Sequence, residues 1–336
     1  MDPEWISFSD ALAETADRHR HLLIGNGFSM SKHALFGYTS LYEEALRRDD
    51  GLAPLFQGHG ANFEAAIGAA GSSEDRIRIR KALVAAIGAL HPVRKFLSAD
   101  DCENCGRFLE QFAGVAREPF RGRVFTTNYD LLLYWVLMHR QTRLKLYDGF
   151  DNSGIWHEGL IGTTFVFYLH GALHHYEEDI GRLRPDMRQY KLMWRQGENL
   201  PTQVRRHIAA DHFPVFVTEG SSPEKRERIR ANPYLKRVTK AFTKHCAKAD
   251  SVVFTFGHSL NAVDEHITDV IGGGNAAVYL GVHMPTSDGA RAIELAGEWA
   301  VKRMEAGRTP LQVKLFDTSE CRVWAYADAE RPLLGY

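Results

Sequence analysis

Short apolar runs alternate with segments of helical spacing along most of the chain. The apolar runs predict buried strands at 21–24, 124–126, 165–169, 214–217, 252–256, 277–280 and 313–316, with a candidate edge strand at 322–327. Helical spacing between them predicts helices over 130–139, 223–248, 264–271 and 289–304. This alternation predicts an α/β fold with a Rossmann-like, largely parallel sheet and helices on both of its faces.

The interval between the first two predicted strands is helical throughout. Four segments have helical spacing, at 41–48, 63–70, 75–90 and 108–116, and no strand pattern interrupts them. We therefore predict a helical insert or subdomain at 41–117, within a single domain that spans residues 1–336. A further amphipathic helix is predicted over 5–19, and the turn-forming residues of 142–163 predict a surface loop.

The composition is that of an ordinary globular protein. The chain has 336 residues, of which 44% are hydrophobic and 25% charged, and its formal net charge is -1. A chain of this length can bury a large core without crosslinks. Its basic and acidic residues are balanced, without the excess of basic charge that binds a nucleic-acid backbone, so we expect no direct binding of nucleic acid. The densest basic stretch, 225–230, is interleaved with acidic residues, which is typical of the solvated face of a helix.

Three features of the sequence favour the cytoplasm. No stretch approaches the roughly 18 uninterrupted apolar residues of a membrane span, and the acidic start at 1–4 does not resemble a signal peptide. Four cysteines are too few for a disulfide framework. Two of them, Cys102 and Cys105, form a lone CxxC without a second pair at zinc-ribbon spacing, so we assign no metal to them.

Small and polar residues follow four of the predicted strands, at the point where each apolar run ends. In an open α/β sheet these carboxyl ends meet at one edge, where ligands bind. The four pieces therefore predict one nucleotide-binding pocket. They are Gly25-Asn26-Gly27-Phe28-Ser29, Thr126-Thr127-Asn128-Tyr129-Asp130, Leu169-His170-Gly171 and Gly257-His258-Ser259.

The first glycine turn has the chemistry of a phosphate-binding loop. Gly25 and Gly27 carry no Cβ that would keep the backbone from a phosphate, and Ser29 adds a hydroxyl donor at the predicted start of a helix. A plain tight turn is the alternative. This stretch does not match the dinucleotide-binding fingerprint of hydride-transfer enzymes. Met30 stands where a third glycine is needed, and Glu43 lies in a helical segment although the fingerprint needs an acidic residue at the end of a strand.

The second and third pieces offer groups for catalysis. Asn128 carries both a donor and an acceptor, although Asn128 or Asp130 would also serve as a helix cap. His170, at the end of an apolar strand, is placed to act as a general base. A core histidine satisfied by a backbone carbonyl is the alternative. His170 and His174 have metal-like spacing, but Gly171 interrupts any rigid helix between them, so we predict no metal.

Taken together, the four pieces resemble the sirtuin-like superfamily, and within it the bacterial sirtuin-like NAD hydrolases of anti-phage defence. Sirtuins show a Gly-Ala-Gly-x-Ser turn, a Thr-Gln-Asn-x-Asp strand end, a catalytic His-Gly and a Gly-x-Ser turn, and the four pieces follow this order over about 21–285. Three further stretches also look like members of this bacterial group: 62–64, 218–222 and 232–235.

The departures from the sirtuin pattern narrow the expectation. The region after His170 lacks the four-cysteine ribbon of the protein deacylases, which argues against deacylation. Thr127 stands in place of Gln, Asn26 in place of Ala, and His283 where sirtuins place an Asn for the adenine ribose.

The resemblance implies an NAD glycohydrolase that needs no cofactor beyond NAD as its substrate. It assigns catalysis to His170, Asn128 and Asp130. It assigns NAD binding to Gly25, Asn26, Gly27, Ser29, Thr127, Gly257, His258 and Ser259. Such an enzyme needs control, so we expect a homo-oligomer or a separately encoded regulatory partner such as an ATPase. A non-catalytic NAD or ADP-ribose sensor and an ADP-ribosyltransferase are the alternative functions.

Overall fold

A computed structural model describes residues 3–181, 187–194, 198–217, 221–283 and 288–325 of the protein. The strands are β1 (Glu4–Trp5), β2 (His19–Ile24), β3 (Val124–Thr126), β4 (Val166–Tyr168), β5 (His175–Asp179), β6 (Met187–Lys191), β7 (Ser251–Phe256), β8 (Ala277–Val282) and β9 (Val313–Asp317). The helices are α1 (Phe8–Ala13), α2 (Gly27–Met30), α3 (Tyr38–Arg48), α4 (Phe63–Ala69), α5 (Ser73–Leu90), α6 (Ala99–Ala113), α7 (Leu132–Leu144), α8 (Leu200–Ala209), α9 (Ser222–Ala231), α10 (Pro233–Cys246), α11 (Glu265–Gly272) and α12 (Asp288–Glu305).

Seven of the described strands form one parallel sheet in the order β1-β9-β8-β7-β2-β3-β4. From central β2 the chain fills β3 and β4 on one side, and it later fills β7, β8 and β9 on the other. The winding direction therefore reverses between neighbouring β2 and β7, and open α/β sheets bind ligands at such a point, outside the carboxyl ends of the strands. The topology confirms the predicted parallel α/β sheet.

Aromatic contacts show that helices cover both faces of this sheet. The register places Phe254 beside Leu22 and Phe125 beside Leu23, so the two phenylalanines point to opposite faces. The ring of Phe254 lies 5.4 Å from that of Phe112 in α6, while Phe125 lies 4.9 Å from Phe242 in α10. Helices α6 and α10 are therefore on opposite sides of the sheet, as predicted.

The predicted strand at 214–217 is wrong. Phe216 makes only an isolated bridge to Gly171 among the described residues. The amides of Val215 and Val217 donate to the carbonyls of His175 and His170, at 2.7 and 3.0 Å. This apolar run therefore packs against the segment that follows β4. It does not form a further strand of the sheet.

Three other element boundaries differ from prediction. The segment 5–19 holds the end of β1 and a short helix, and 322–325 is not a strand, while 326–327 lies outside the described residues. The helix predicted over 223–248 breaks at Asn232, because a residue before proline is forced into an extended conformation. The antiparallel hairpin β5–β6, whose polar alternation gave no buried-strand signal, was not predicted.

The stretch between β2 and β3 is helical. Residues 25–123 are all described and contain α-helices and short 3-10 turns but no strand. Helices α3, α4 and α5 contact one another, whereas α6 lies directly on the sheet against β2 and β3. The helical stretch therefore contributes one layer to the sheet and a separate cluster of three helices beside the carboxyl edge.

A buried lysine ties this helical cluster to the sheet. Lys225, in α9, is fully buried, which corrects the prediction that the basic stretch is solvated. Its Nζ lies 2.9 Å from Glu64 Oε1 in α4 and 2.8 Å from Asp264 Oδ1 before α11. An ammonium this deep in a protein requires such partners, because leaving it unpaired would cost several kcal/mol. The three residues therefore fix three separate elements around one charge.

Two of the predicted pocket turns touch each other through their backbones. A Cβ on Gly25 would lie 2.5 Å from His258 Cα, and a Cβ on Gly257 would lie 2.4 Å from the Phe28 nitrogen. Gly257 also has a φ of +64°, in the left-handed region that side chains disfavour. Glycine is required here by the close approach of the turns after β2 and β7.

No helix in the described part of the chain is both long enough and apolar enough to cross a membrane.

We predict that Lys225→Met destabilises the protein by about 3–5 kcal/mol, because it leaves two buried carboxylates without their counter-charge. Urea unfolding at pH 7 measures the loss. The matched control is Lys81→Met, which removes an ion pair with Asp211 whose side chains are 49% and 73% exposed. Such a surface pair contributes less than about 1 kcal/mol. Equal losses in the two variants would contradict a structural role for Lys225.

We also predict that Gly257→Ala is destabilising, by more than the roughly 1–2 kcal/mol of a left-handed backbone, because its methyl group overlaps Phe28. The control is Gly297→Ala in α12, where no described atom lies within 4 Å of an added Cβ. Alanine in a helix interior gains about 0.5–1 kcal/mol over glycine. Opposite shifts of the urea midpoint are expected; a matching gain at Gly257 would disprove the close contact.

Candidate active site

A cavity of about 1030 Å³ opens at the carboxyl edge of the sheet, over the point where the winding direction reverses. Its walls come from the turns after β2, β3, β4, β7, β8 and β9 and from the helical cluster. The volume is at the upper end of the range for ligand pockets, which is about 300–1,000 Å³. The cavity is therefore large enough for a dinucleotide.

Ten of the eleven residues predicted for the site line this cavity. They are Gly25, Asn26, Gly27, Thr127, Asn128, Asp130, His170, Gly257, His258 and Ser259. The eleventh, Ser29, is fully buried directly behind them. The four predicted pieces thus come together in space, while their chemical roles remain predictions. Residues 218–220, part of the resemblance, lie outside the described residues.

The amides of the glycine turn are largely used within the protein. Gly27 N donates to Gly257 O at 2.7 Å, Phe28 N to Gly25 O at 3.0 Å, and Ser29 N to Asn26 O at 3.0 Å. Helix α2 has only four residues. These amides therefore offer no ready nest for a phosphate.

Other amides of the same two turns have no partner. Within the described residues, the amides of Asn26, Gly257, His258 and Ser259 donate to no protein acceptor. All four residues line the cavity. These four amides are therefore the backbone donors of the two turns that the protein itself leaves unused.

A chain of hydrogen bonds fixes Asn128. Ser29 Oγ donates to Asp130 Oδ2 at 2.5 Å, and Asn128 Nδ2 donates to Ser29 Oγ at 3.0 Å. Because the single hydroxyl proton of Ser29 goes to Asp130, the side of Asn128 that faces Ser29 must be its NH₂ group. Asn128 Oδ1 then has no partner among the described residues, although it is buried. An acceptor in this state suits a ligand hydroxyl or a water.

Asp130 is a helix cap as well as an anchor. Its Oδ1 accepts from the Leu132 amide at 2.8 Å at the start of α7, as the capping alternative predicts. Burial raises the pKa of Asp130 above its ordinary value, against the lowering effect of the Ser29 hydroxyl. Both oxygens of Asp130 therefore accept hydrogen bonds from the protein. Through Ser29, Asp130 fixes the orientation of Asn128.

The imidazole of His170 is paired with a second histidine, His266. The two Nε2 atoms are 2.8 Å apart and the rings stack with centroids 5.0 Å apart. One Nε2 must donate to the other, so a single proton lies between them. Nδ1 of His170 makes no hydrogen bond among the described residues, and it is not sealed from solvent as Nδ1 of His266 is. Nδ1 is therefore the ring nitrogen of His170 that remains open toward the cavity.

Burial keeps these histidines neutral. It lowers the pKa of His170 well below its usual range and that of His266 to about 4, in both cases against the opposing charge of Asp264. Asp264 itself is buried, which disfavours its charge, yet the Lys225 ammonium beside it holds the pKa of Asp264 well below the ordinary value. At neutral pH the site therefore contains a carboxylate and neutral imidazoles.

Asp264 lies between two histidines. Its Oδ1 is 4.0 Å from His170 Nε2 and its Oδ2 is 3.7 Å from His258 Nε2. Nδ1 of His258 accepts from the Leu260 amide at 3.1 Å, so the proton of the neutral ring is on Nε2, toward the carboxylate. Leu260 has a φ of +53°, a strained conformation for a bulky residue.

Sequence reasoning missed Asp264 and His266 as site residues, because Asp-x-His at a predicted helix start is also typical of an ordinary cap. Their position shortly after Gly257-His258-Ser259 was the available signal. Together with His170 they offer three ligand atoms within 4.8 Å of one another, the geometry of a metal site. The Lys225 ammonium, 2.8 Å from Asp264, opposes a second cation there.

The helical cluster supplies one wall of the cavity. Tyr38, Glu64 and His91 line it together with apolar side chains such as Phe36 and Leu90. His91 Nε2 accepts from the Leu131 amide at 2.9 Å, and its Nδ1 is 2.9 Å from a backbone carbonyl, so the neutral ring has both nitrogens satisfied. Of these residues, the sequence motifs marked only Glu64, within the stretch 62–64.

The opposite end of the cavity has a different character. Gly281 and His283 from β8 and Thr318, Ser319 and Arg322 after β9 line it. No other Lys or Arg lines the cavity in the described part of the chain. Carboxylates lie near His170, and a guanidinium lies near β9.

Three comparisons with known proteins bear on this site. No curated protein matches the chain. Among solved structures, a chain from a study of the mechanism and regulation of Sir2 enzymes is 12% identical, with a TM-score of 0.40, and the match covers 88% of this chain and 97% of that one.

A Sir2 homologue in complex with NAD is 10% identical, with a TM-score of 0.40, and the match covers 94% of this chain and 90% of that one. A Sir2 variant with a deacetylated peptide and 3'-O-acetyl ADP-ribose is 11% identical, also at 0.40, with coverage of 90% and 99%. These likenesses are weak, and the fold assignment rests on the sheet topology.

One family model matches residues 64–324, which is most of the chain and includes the elements that build the cavity, apart from β2, the turn after it and α3. Its description is a domain of unknown function. The chain therefore belongs to the DUF4917 family.

Proposed function

We propose that the protein is an NAD glycohydrolase that cleaves the bond between nicotinamide and ribose. The observation that carries the proposal is the meeting of two groups in one cavity at the switch point of the sheet. The carboxamide of Asn128 is fixed with its oxygen unpaired, and His170 is neutral with Nδ1 open. These are the groups that hydrolysis at a ribose carbon needs.

The reaction would follow from the positions of these groups. Nicotinamide leaves with the electron pair of the glycosidic bond, so positive charge develops on the ribose. Asn128 would hold a ribose hydroxyl or the attacking water through Oδ1. His170 would take the proton from that water at Nδ1 as the new C–O bond forms, while its Nε2 donates to His266. Asp130 would act through Ser29 by keeping Asn128 in place.

The charge distribution of the cavity supports the direction in which NAD would bind. NAD carries a cationic nicotinamide ring at one end and a diphosphate in the middle. The carboxylates Asp264 and Asp130 lie on the β3, β4 and β7 side, where the cationic ring would be placed. The unpartnered amides of Asn26, His258 and Ser259 lie at the centre, where the diphosphate would be placed. Complementary charge of this kind fixes the orientation of a ligand.

The biological setting stays a prediction from the resemblance. We propose a role as an effector of anti-phage defence in the cytoplasm, restrained by self-association or by a separately encoded partner such as an ATPase. Light scattering of the purified protein tests self-association.

The central test is nicotinamide release from NAD by the purified protein, followed by mass spectrometry. We expect nicotinamide and ADP-ribose, and we expect His170→Ala and Asn128→Ala to lose about 10²–10⁴ of the rate, the usual contribution of a positioned general base. The control His157→Ala alters an exposed histidine that is bonded to Asp151 outside the cavity, and it should keep full activity.

Three results would reject the assignment. Full activity in either variant would remove that residue from catalysis. Tight binding of NAD without any product would favour a sensor, and ADP-ribose attached to a macromolecule would favour a transferase.

A further inference from the structure

The residues after β9 close the end of the cavity that lies farthest from His170. The strand order puts β8 three strands from β3, or roughly 14 Å at about 4.8 Å per strand. A dinucleotide whose nicotinamide ribose lies at Asn128 and whose diphosphate lies at the β2–β7 turns would place its adenosine at β8 and β9. The groups at this end therefore face the adenine ribose.

Arg322 is held in place at this end. Its neighbours Cys321 and Val323 are buried, while its own side chain is exposed and lines the cavity. Nearby, Trp324 Nε1 donates to Phe28 O at 3.0 Å and fixes the segment against the turn after β2. The guanidinium makes no ion pair or hydrogen bond within the described residues. Arg322 thus carries an unpaired guanidinium at this wall, between the cavity and a smaller depression that Arg107 and Phe108 of α6 also line.

Among the described residues, no carboxylate lines the same end. Of the residues that line the cavity, the acidic ones are Glu64, Asp130 and Asp264, and all three lie on the other side. The two acids closest to Arg322 in sequence are used elsewhere: Asp317 Oδ1 accepts from the Ser319 amide at 2.9 Å, and Glu320 accepts from Phe8 N at 2.6 Å.

The presence of an arginine or of a carboxylate beside the 2' position of a ribose determines which group is bound there. A carboxylate there accepts a hydrogen bond from the free 2'-hydroxyl, whereas an arginine accommodates a 2'-phosphate. Guanidinium groups bind phosphate through paired, charge-assisted hydrogen bonds. The hydroxyl of Ser319, on the same wall, adds a further donor.

We infer that Arg322 recognises a phosphate on the adenine ribose, so that the preferred substrate is the 2'-phosphorylated dinucleotide NADP over NAD. This inference rests on the proposed function for its reaction. The binding of the 2'-phosphate can be tested without turnover, because adenosine phosphates bind at the same end of the cavity.

The test compares NAD and NADP as substrates of the full-length protein and of three variants. We expect kcat/KM for NADP to exceed that for NAD by at least about tenfold, the worth of one charge-assisted hydrogen bond. Arg322→Ala should raise KM for NADP by roughly 10- to 100-fold with little change for NAD. Ser319→Glu places a carboxylate beside the 2' position and should reverse the preference. The control Arg230→Ala, an exposed arginine of α9 outside the cavity, should behave as wild type.

Calorimetry with adenosine 2',5'-bisphosphate and with AMP supplies the second readout. Tighter binding of the bisphosphate, lost in Arg322→Ala, supports the inference even if neither dinucleotide is cleaved, in which case only the proposed function fails. Equal weakening of NAD and NADP in Arg322→Ala would place the guanidinium on the diphosphate and overturn the inference. A wild-type preference for NAD, or equal binding of AMP and the bisphosphate, would also overturn it.

Discussion

The arrangement of the site depends on one buried ammonium group held between two carboxylates. Lys225 joins α4, α9 and the start of α11 through Glu64 and Asp264, so the helical cluster and the sheet edge share a single charge centre. Asp264 in turn lies within reach of His170 and His258. A group of this kind is costly to form and more costly to break, since removing one partner strands the others in a low-dielectric interior. The position of the carboxylate relative to the histidines is therefore a property of the fold and not of a flexible loop.

Burial gives this centre its chemical character. The same desolvation that forces the lysine to pair keeps the surrounding imidazoles neutral, so that a nitrogen lone pair is present at physiological pH. The carboxamide of Asn128 is oriented by a different device, a serine with only one proton to give. Each device leaves one polar atom of a cavity-lining residue without a protein partner. At the far end of the cavity, the described lining residues include an arginine and no acid.

The sheet and ten of the residues that line the cavity could be predicted from the sequence, because apolar runs mark buried parallel strands and their polar ends must meet at one edge. Residues from four distant segments thus met in one cavity. Contacts that depend on side-chain burial were not predictable in this way. Lys225 looked solvated because its neighbours alternate in charge, and Asp264 and His266 looked like a helix cap. The run at 214–217 has strand composition but buries itself beside β4. The glycine turn was interpreted as a phosphate loop, whereas its glycines are required by a backbone contact that only the folded chain reveals.

The most direct test of the account is a crystal structure with carba-NAD, in which a methylene group replaces the ribose ring oxygen and blocks cleavage. The proposed mechanism predicts a ribose hydroxyl of the nicotinamide end within hydrogen-bond distance of Asn128 and of His170 Nδ1. It places the diphosphate on the amides of Asn26 and His258, and the adenosine between β8 and β9. A reversed ligand, or an analogue bound outside this cavity, would contradict it.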